Sequence, residues 1–269
     1  MARTATGMTT AQNDAGTRVS RDVPRWDILG IPVIAGCADD VVAELDQRLA
    51  EGEHIKLAYL NAHSSNLAAT HATFRAALGG FTILNDGVGL DIAARVLNGE
   101  RFPENLNGTD FTLRFLSQTR HRFRVYLLGA RPGIAESAAI ALREGLPQHT
   151  IAGTHHGYFS EDDAPLVAAE IKESGADIVL VALGNPAQEL WIARHFDATG
   201  CRLAIGVGAL LDFVAGRVPR APLWLRKLRL EWLFRVALEP RRLWRRYLLG
   251  NPIFLARVAI ARLALRGST

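Results

Sequence analysis

The sequence predicts an α/β fold: a mostly parallel sheet with helices on both faces, followed by a basic helical appendage. Three observations carry that prediction. Short apolar runs alternate with stretches of helical spacing from about residue 57 to residue 214. The run from Asp177 to Leu183 is apolar and β-branched, as a central parallel strand buried on both faces is. Almost every apolar run ends in a loop rich in Gly, Asn, Asp or Thr. Those loops share one edge of such a sheet, the edge where open α/β folds bind ligands.

Taken in order, residues 26–34 read as an entry strand or hairpin. Residues 39–50 have helical spacing through Val41, Val42, Leu45 and Leu49. The next strand, 56–60, ends in Asn61-Ala62-His63-Ser64-Ser65-Asn66, which opens a helix to Leu78. Strand 81–84 leads through Asn85-Asp86-Gly87 into a helix at 88–97. Asn105-Leu106-Asn107-Gly108-Thr109-Asp110 carries helix-start chemistry ahead of an amphipathic helix at 111–119. Strand 123–128 runs into Gly129-Ala130-Arg131-Pro132-Gly133 and a helix to about Glu144; proline suits a helix start through its fixed φ. Residues 150–153 form a weaker strand, and 154–159 a loop. Ser160 to Asp163 cap a helix that ends near Ser174. After the strand at 177–183, Gly184-Asn185-Pro186-Ala187-Gln188-Glu189 turns into a helix at 190–196, and 202–205 is the last strand. The arrangement is Rossmann-like, with a core at 25–216.

Composition sets the limits. The chain has 269 residues, 49% of them hydrophobic and 22% charged, which fits a soluble domain with a sizeable core. Cys37 and Cys201 lie far apart with no metal or redox spacing, so they read as free thiols in a reducing compartment. Residues 1–24 are polar, without the apolar core of a signal peptide, and are expected to be disordered. No window reaches ~18 uninterrupted apolar residues, so a cytoplasmic location is expected. The net charge of +4 hides an asymmetry: residues 217–269 carry +11 and the remainder −7. In that tail Trp224, Trp232, Trp244 and Tyr247 alternate with arginines, and Arg257, Arg262 and Arg266 recur at helical spacing among apolar residues. A basic helix with an apolar face and Trp at its margin reads as a membrane-surface element for an anionic bilayer. A helical extension packed on the sheet domain is compatible with the same pattern. Nucleic acid is not expected as a partner, given the acidic core and the long apolar stripe.

Asp86 is the candidate for the chemistry. It sits at a strand-to-helix junction beside glycines that allow a tight turn. Two roles are open to it: a cap for the following helix, or a general base or ligand contact. The loop at Gly129 either cradles a phosphate at a helix N-terminus or is a structural turn. No G-x-G-x-x-G, Walker A, G-x-S-x-G or H-E-x-x-H pattern is present, which argues against nicotinamide, P-loop, serine-hydrolase and zincin chemistry. His155 and His156 are adjacent, and neighbours on an extended segment point to opposite sides, so metal binding is not expected.

The motifs together resemble the WecG/TagA/CpsF glycosyltransferases (glycosyltransferase family 26) from about Trp26 to Leu255. The matching segments are Asn61, Asn85-Asp86-Gly87-Val88-Gly89, Gly108-Thr109-Asp110, Leu127-Leu128-Gly129, residues 153–159, residues 184–189, residues 204–208, Arg217-Val218-Pro219-Arg220-Ala221-Pro222, residues 230–235, and Glu239-Pro240-Arg241-Arg242 with Arg245-Arg246-Tyr247. The resemblance implies a metal-independent, inverting transfer of a sugar from a UDP-sugar, without a cofactor. The acceptor it implies is a sugar on a polyprenyl diphosphate at the cytoplasmic face of the inner membrane. It maps the base onto Asp86. It maps substrate contacts onto Asn61, His63, Asn85, Asn107, Thr109, Asp110, Gly129, His155, Gly184, Asn185, Gln188 and Glu189. Arg217, Arg220 and Arg226 become candidates for the diphosphate, and residues 217–269 a membrane-associating appendage. Two positions depart from the common pattern. Tyr59 stands where many members have Thr, and Asn85 where many have Pro. The variant Leu60-Asn61-Ala62-His63 resembles the exopolysaccharide, xanthan-type branch. UDP-glucose, UDP-N-acetylmannosamine and its uronic acid all remain open as donors, and so does a homo-oligomer. The rival readings are a nicotinamide-linked oxidoreductase and a non-enzymatic basic adaptor for membrane or nucleic acid.

Overall fold

The structure is a computed structural model that describes residues 23–222, 225, 231–238 and 240–267. The expected disordered N-terminal segment falls almost wholly outside these residues. The described chain begins at Val23, which is buried and donates its N–H to Glu44.

A hairpin of β1 (Arg25–Ile28) and β2 (Ile31–Ile34) opens the chain. Helix α1 (Ala38–Ala50) follows, then β3 (Ile55–Leu60), the short helices α2 (Ala62–Thr70) and α3 (Ala72–Leu78), and β4 (Thr82–Asn85). The single helix expected after Asn61 is therefore two, broken at His71, whose backbone is extended. Next come α4 (Val88–Leu97), α5 (Gly108–Gln118), β5 (Arg124–Gly129), α6 (Ile134–Gly145) and β6 (Thr150–His155). Strand β6 runs two residues past its expected end, because Thr154 and His155 still pair with β5. The core finishes with α7 (Ala164–Glu173), β7 (Ile178–Ala182), α8 (Ala187–Thr199), β8 (Leu203–Gly206) and α9 (Leu210–Val214).

Among the described residues the main sheet has six strands, all parallel, in the order β4-β3-β8-β7-β5-β6. The expected α/β architecture is thus the observed one. Alternate side chains of each strand feed two separate cores, as the two-residue period of a strand requires. Ala58, Leu60, Val179, Val181 and Ala204 pack against α2, α3, α4, α7 and α8 on one face. Leu57, Tyr59, Leu180, Leu203 and Ile205 pack against α1, α5, α6 and α9 on the other. Strands β5 and β7 are neighbours, yet the chain leaves β5 toward β6 and leaves β7 toward β8, on opposite sides. That reversal opens a crevice at their carboxyl ends.

The C-terminal region is helical: α10 (Glu231–Leu238), α11 (Pro240–Trp244), a π-helical turn (Arg245–Leu249) and α12 (Gly250–Gly267). The stretch Arg245–Gly267 is long and apolar enough, by length and composition, to cross a membrane, although arginines interrupt its apolar run. One face of it is joined to the sheet domain. Phe254 (0% exposed) and Val258 (2%) complete the core that also contains Leu90 and Ala62. Asn66 of α2 donates to the Gly250 carbonyl at 2.7 Å. Outward, Leu249, Ile253, Ile260 and Leu263 remain exposed.

Candidate functional site

The carboxyl ends of the strands line a cleft of about 1010 Å³. Its walls come from the loops after β3, β4, β5, β7 and β8, the start of α5, and the C-terminal helices. Ten of the residues singled out in the sequence line it: Asn61, His63, Asp86, Asn107, Thr109, Asp110, Gly184, Asn185, Gln188 and Arg217.

Asp86 is placed by the sheet itself. Its N–H extends the β3–β4 ladder to the Leu60 carbonyl at 2.8 Å. Gly87 then turns the chain at φ 91°, and its N–H is taken by Asn105 Oδ1 at 2.8 Å. Gly87, not Asp86, is the N-cap of α4, so capping does not explain the aspartate. Asp86 Oδ2 instead accepts from Asn61 Nδ2 at 3.2 Å. The orientation of that amide follows from local chemistry. Asn61 caps α2, its Oδ1 accepting from Ser64 N at 3.0 Å while Ser64 Oγ accepts from Asn61 N at 2.9 Å, a capping box. With its oxygen used in the cap, Asn61 turns its NH₂ to the carboxylate.

Around this pair the groups are held by short-range contacts. The Tyr59 hydroxyl bonds with Thr112 Oγ1 at 2.9 Å, and its ring lies against Gly108, where a Cβ would come within 3.0 Å of it. Burial pushes the Tyr59 hydroxyl pKa well up, the Thr112 bond opposes this, and the charge of Asp86 adds to it. Burial, and then the charge of Arg246, pull the His63 imidazole down to about 4, so it is neutral at physiological pH. Asn107 caps α5 through Asp110 N at 3.0 Å, and Asp110 Oδ1 pairs with Arg220 Nη1 at 2.6 Å. The Arg220 guanidinium also stacks over Phe213, 5.6 Å from the ring centroid.

On the other side of the crevice, Gln188 Oε1 accepts from Gly184 N (3.2 Å) and Gly208 N (3.0 Å), tying the loops after β7 and β8 together. Burial raises the Glu189 carboxyl from 4.5 to about 7, against the lowering effect of its bonds from Gln188 and Asn185.

Five expected contact residues do not line the cleft. Asn85 is fully buried, and its amide donates to the Glu104 carbonyl at 2.9 Å, so it braces the loop before α5. Gly129 (φ 131°) lies against Ala182; an added Cβ would stand 2.4 Å from the Ala182 oxygen, so its role is the close packing of β5 on β7. The cleft is reached from that turn by Ala130, Arg131 and Ile134 instead. His155 ends β6, with Nδ1 at 2.7 Å from the His156 carbonyl and its ring edge-on to Phe159. Glu189 lies beneath the cleft at 1% exposure. Arg220 is taken up in the pair with Asp110. Arg226 lies outside the described residues.

Sequence reasoning did not single out Asn105, Arg131, Tyr158, Asp212 or Asn251, which line the cleft. Trp232, Arg246 and Tyr247, expected in a membrane-surface element compatible with packing on the sheet domain, also line it, with Trp232 and Tyr247 rings 5.6 Å apart and Arg246 over Tyr247. Their motif was visible in the sequence; their direction was not. Among the described residues no three His, Cys, Asp or Glu side chains form a metal-binding group.

The sequence matches the profile of the "Glycosyl transferase WecG/TagA/CpsF family" over residues 26–268. It is 34% identical to an N-acetylglucosaminyldiphosphoundecaprenol N-acetyl-beta-D-mannosaminyltransferase of Bacillus subtilis (strain 168), over 62% of this chain and 64% of that one. It is 31% identical to a protein of the same name from Staphylococcus aureus (strain NCTC 8325 / PS 47), over 78% of this chain and 86% of that one. With the family profile matching residues 26–268 of a parallel α/β fold, the chain belongs to the WecG/TagA/CpsF family of glycosyltransferases.

Proposed function

We propose that the protein transfers a sugar, with inversion, from a UDP-sugar to a sugar carried on a polyprenyl diphosphate. The observation that carries this reading is the Asp86–Asn61 pair in a strand-end cleft that Arg217 and Arg246 also line. Asp86 takes the proton of the acceptor hydroxyl as that oxygen attacks the anomeric carbon and the UDP oxygen leaves; such base catalysis contributes typically ~10²–10⁴. Asn61 holds the carboxylate through its NH₂ group. Arg217 and Arg246, both lining the cleft, face the diphosphate charge, and guanidinium geometry suits phosphate oxygens. A neutral His63 is available as a hydrogen-bonding group beside them. The relatives are named for N-acetylmannosaminyl transfer to N-acetylglucosaminyldiphosphoundecaprenol, which makes UDP-N-acetylmannosamine and that acceptor the first pair to try. The resemblance of Leu60-Asn61-Ala62-His63 to the exopolysaccharide branch, with His63 lining the cleft, supports a second reading, glucosyl transfer in exopolysaccharide synthesis.

The exposed apolar residues of α12, together with Arg257, Arg262 and Arg266, support seating on an anionic membrane surface at the cytoplasmic face. The cleft-lining residues Arg246, Tyr247 and Asn251 belong to the same helical run, so a lipid-linked diphosphate would meet the cleft there. Acceptor-dependent UDP release, measured with UDP-N-acetylmannosamine and UDP-glucose and a lipid-diphosphate N-acetylglucosamine or glucose acceptor, tests the proposal. Release with one pair supports it; no release with any pair overturns it.

A further inference from the structure

Glu189 is a carboxylic acid next to a nucleotide-sugar cleft that it does not touch. It sits in the first turn of α8 at 1% exposure, and the cleft is lined by its neighbours Asn185 and Gln188. One oxygen, Oε1, accepts from both of them: from Asn185 Nδ2 at 2.5 Å and from Gln188 Nε2 at 2.9 Å. Gln188 Oε1 in turn accepts the Gly184 and Gly208 N–H groups. A carboxamide has one oxygen and one NH₂ end. With the NH₂ ends held by Glu189, neither amide can turn over without setting N–H against N–H or oxygen against oxygen. Asn185 can then offer a ligand its carbonyl oxygen and the second hydrogen of its NH₂ group in a fixed arrangement, and Gln188 is fixed as the tie between two cleft loops.

We infer that Glu189 is a positioning residue, whose Oε1 sets the orientation of the cleft amides Asn185 and Gln188 and so the donor-recognising surface. The second oxygen supports this. Oε2 is buried without a hydrogen-bond partner, an arrangement that costs stability and that an apolar residue would avoid if packing were the only demand. With its carboxyl raised to about 7, Glu189 is partly ionised near physiological pH, and Oε1 accepts in the ionised form and in the neutral form that carries its proton on Oε2.

The inference rests on the UDP-sugar reading, and the test separates the two. Two full-length variants divide reach from charge. Glu189→Gln keeps an acceptor oxygen at the same reach and removes the charge. Glu189→Asp keeps the charge and withdraws the oxygen by one methylene. Donor KM, kcat and the thermal unfolding midpoint are measured for each. Glu189→Gln is expected to stay within about threefold of wild type. Glu189→Asp is expected to raise donor KM about tenfold, the size of one lost neutral hydrogen bond, with little change in kcat. Glu189→Gln impaired as much as or more than Glu189→Asp, or a wild-type KM in both, overturns the inference. Asn185→Ala removes one held amide, and its bond to Oε1, while leaving the Glu189 side chain in place, and should raise the same KM. A wild-type KM there overturns the inference even if Glu189→Asp fails to fold. Failure of the UDP-sugar reading would show separately, as a wild-type chain that neither binds nor turns over any UDP-sugar.

Discussion

Replacing Asp86 by Asn tests the chemistry most directly, because the structure indicates that the fold should tolerate it. The side chains are the same shape. The Asn61 NH₂ group that now donates to Asp86 Oδ2 at 3.2 Å can donate equally to a carboxamide oxygen. The backbone bond from Asp86 N to Leu60 and the Gly87 turn do not involve the side chain. The folding cost should be about 1 kcal/mol or less, the difference between a charged and a neutral acceptor. What is lost is the base. An amide cannot take the acceptor proton, so kcat should fall by about 10²–10⁴, equivalent to about 3–5 kcal/mol of barrier. The assay is acceptor-dependent UDP release, with donor affinity measured separately by calorimetry without acceptor. Donor affinity should stay within about threefold, since the interaction lost belongs to the transition state. A kcat within threefold of wild type would refute base catalysis by Asp86. A fall of about tenfold or less would assign it to orienting the acceptor hydroxyl.

Asn61→Ala removes both the cap on Ser64 N and the bond to Asp86; denaturant unfolding should show a loss of about 1 kcal/mol, accompanied by a lower kcat. Phe254→Ala should destabilise the protein by about 3–5 kcal/mol in the same measurement, because that ring is fully buried against α2 and α4; a loss under about 1 kcal/mol would mean that α12 packs elsewhere. Gly129→Ala forces a Cβ to 2.4 Å from the Ala182 oxygen at φ 131° and should cost more than about 2 kcal/mol. His63 contributes an acid limb to stability. Its folded pKa of about 4 lies below the unfolded value of 6.5, so the unfolded chain takes up the extra proton between those values. Its contribution is therefore complete above pH 6.5 and is lost as pH falls toward 4. His63→Gln should remove that limb from the unfolding-versus-pH curve, and an NMR titration of the wild-type imidazole above pH 6 would refute the assignment.

Local chemistry made much of the site legible in advance. Asn61 and Asn107 are helix-start residues by type and position, and both cap helices at the cleft. Asp86 was recognisable as a carboxylate between a strand and a glycine turn. Only the structure sets its capping role aside, because Gly87 is the cap, and shows Asn61, twenty-five residues earlier, as a hydrogen-bond partner. Asn85 and Glu189 show the converse limit. Each adjoins a cleft residue in the chain, and each points into the interior, because neighbours at a strand end or in a helical turn face different ways.

The sequence by itself determined the alternation of strands and helices, the parallel sheet, the placement of polar loops at one edge and the charge of the tail, since these follow from periodicity and composition within short windows. Tertiary structure decided the rest. It set the strand order that opens the crevice between β5 and β7, joined α12 to α2 and α4 through Phe254 and Val258, and turned Trp232, Arg246 and Tyr247 of a basic, aromatic tail into the cleft. An amphipathic basic helix satisfies its own periodicity equally well on a membrane or on a sheet domain. Only contacts with residues nearly two hundred positions earlier, such as Asn66 with Gly250, choose which of its sides faces the substrate.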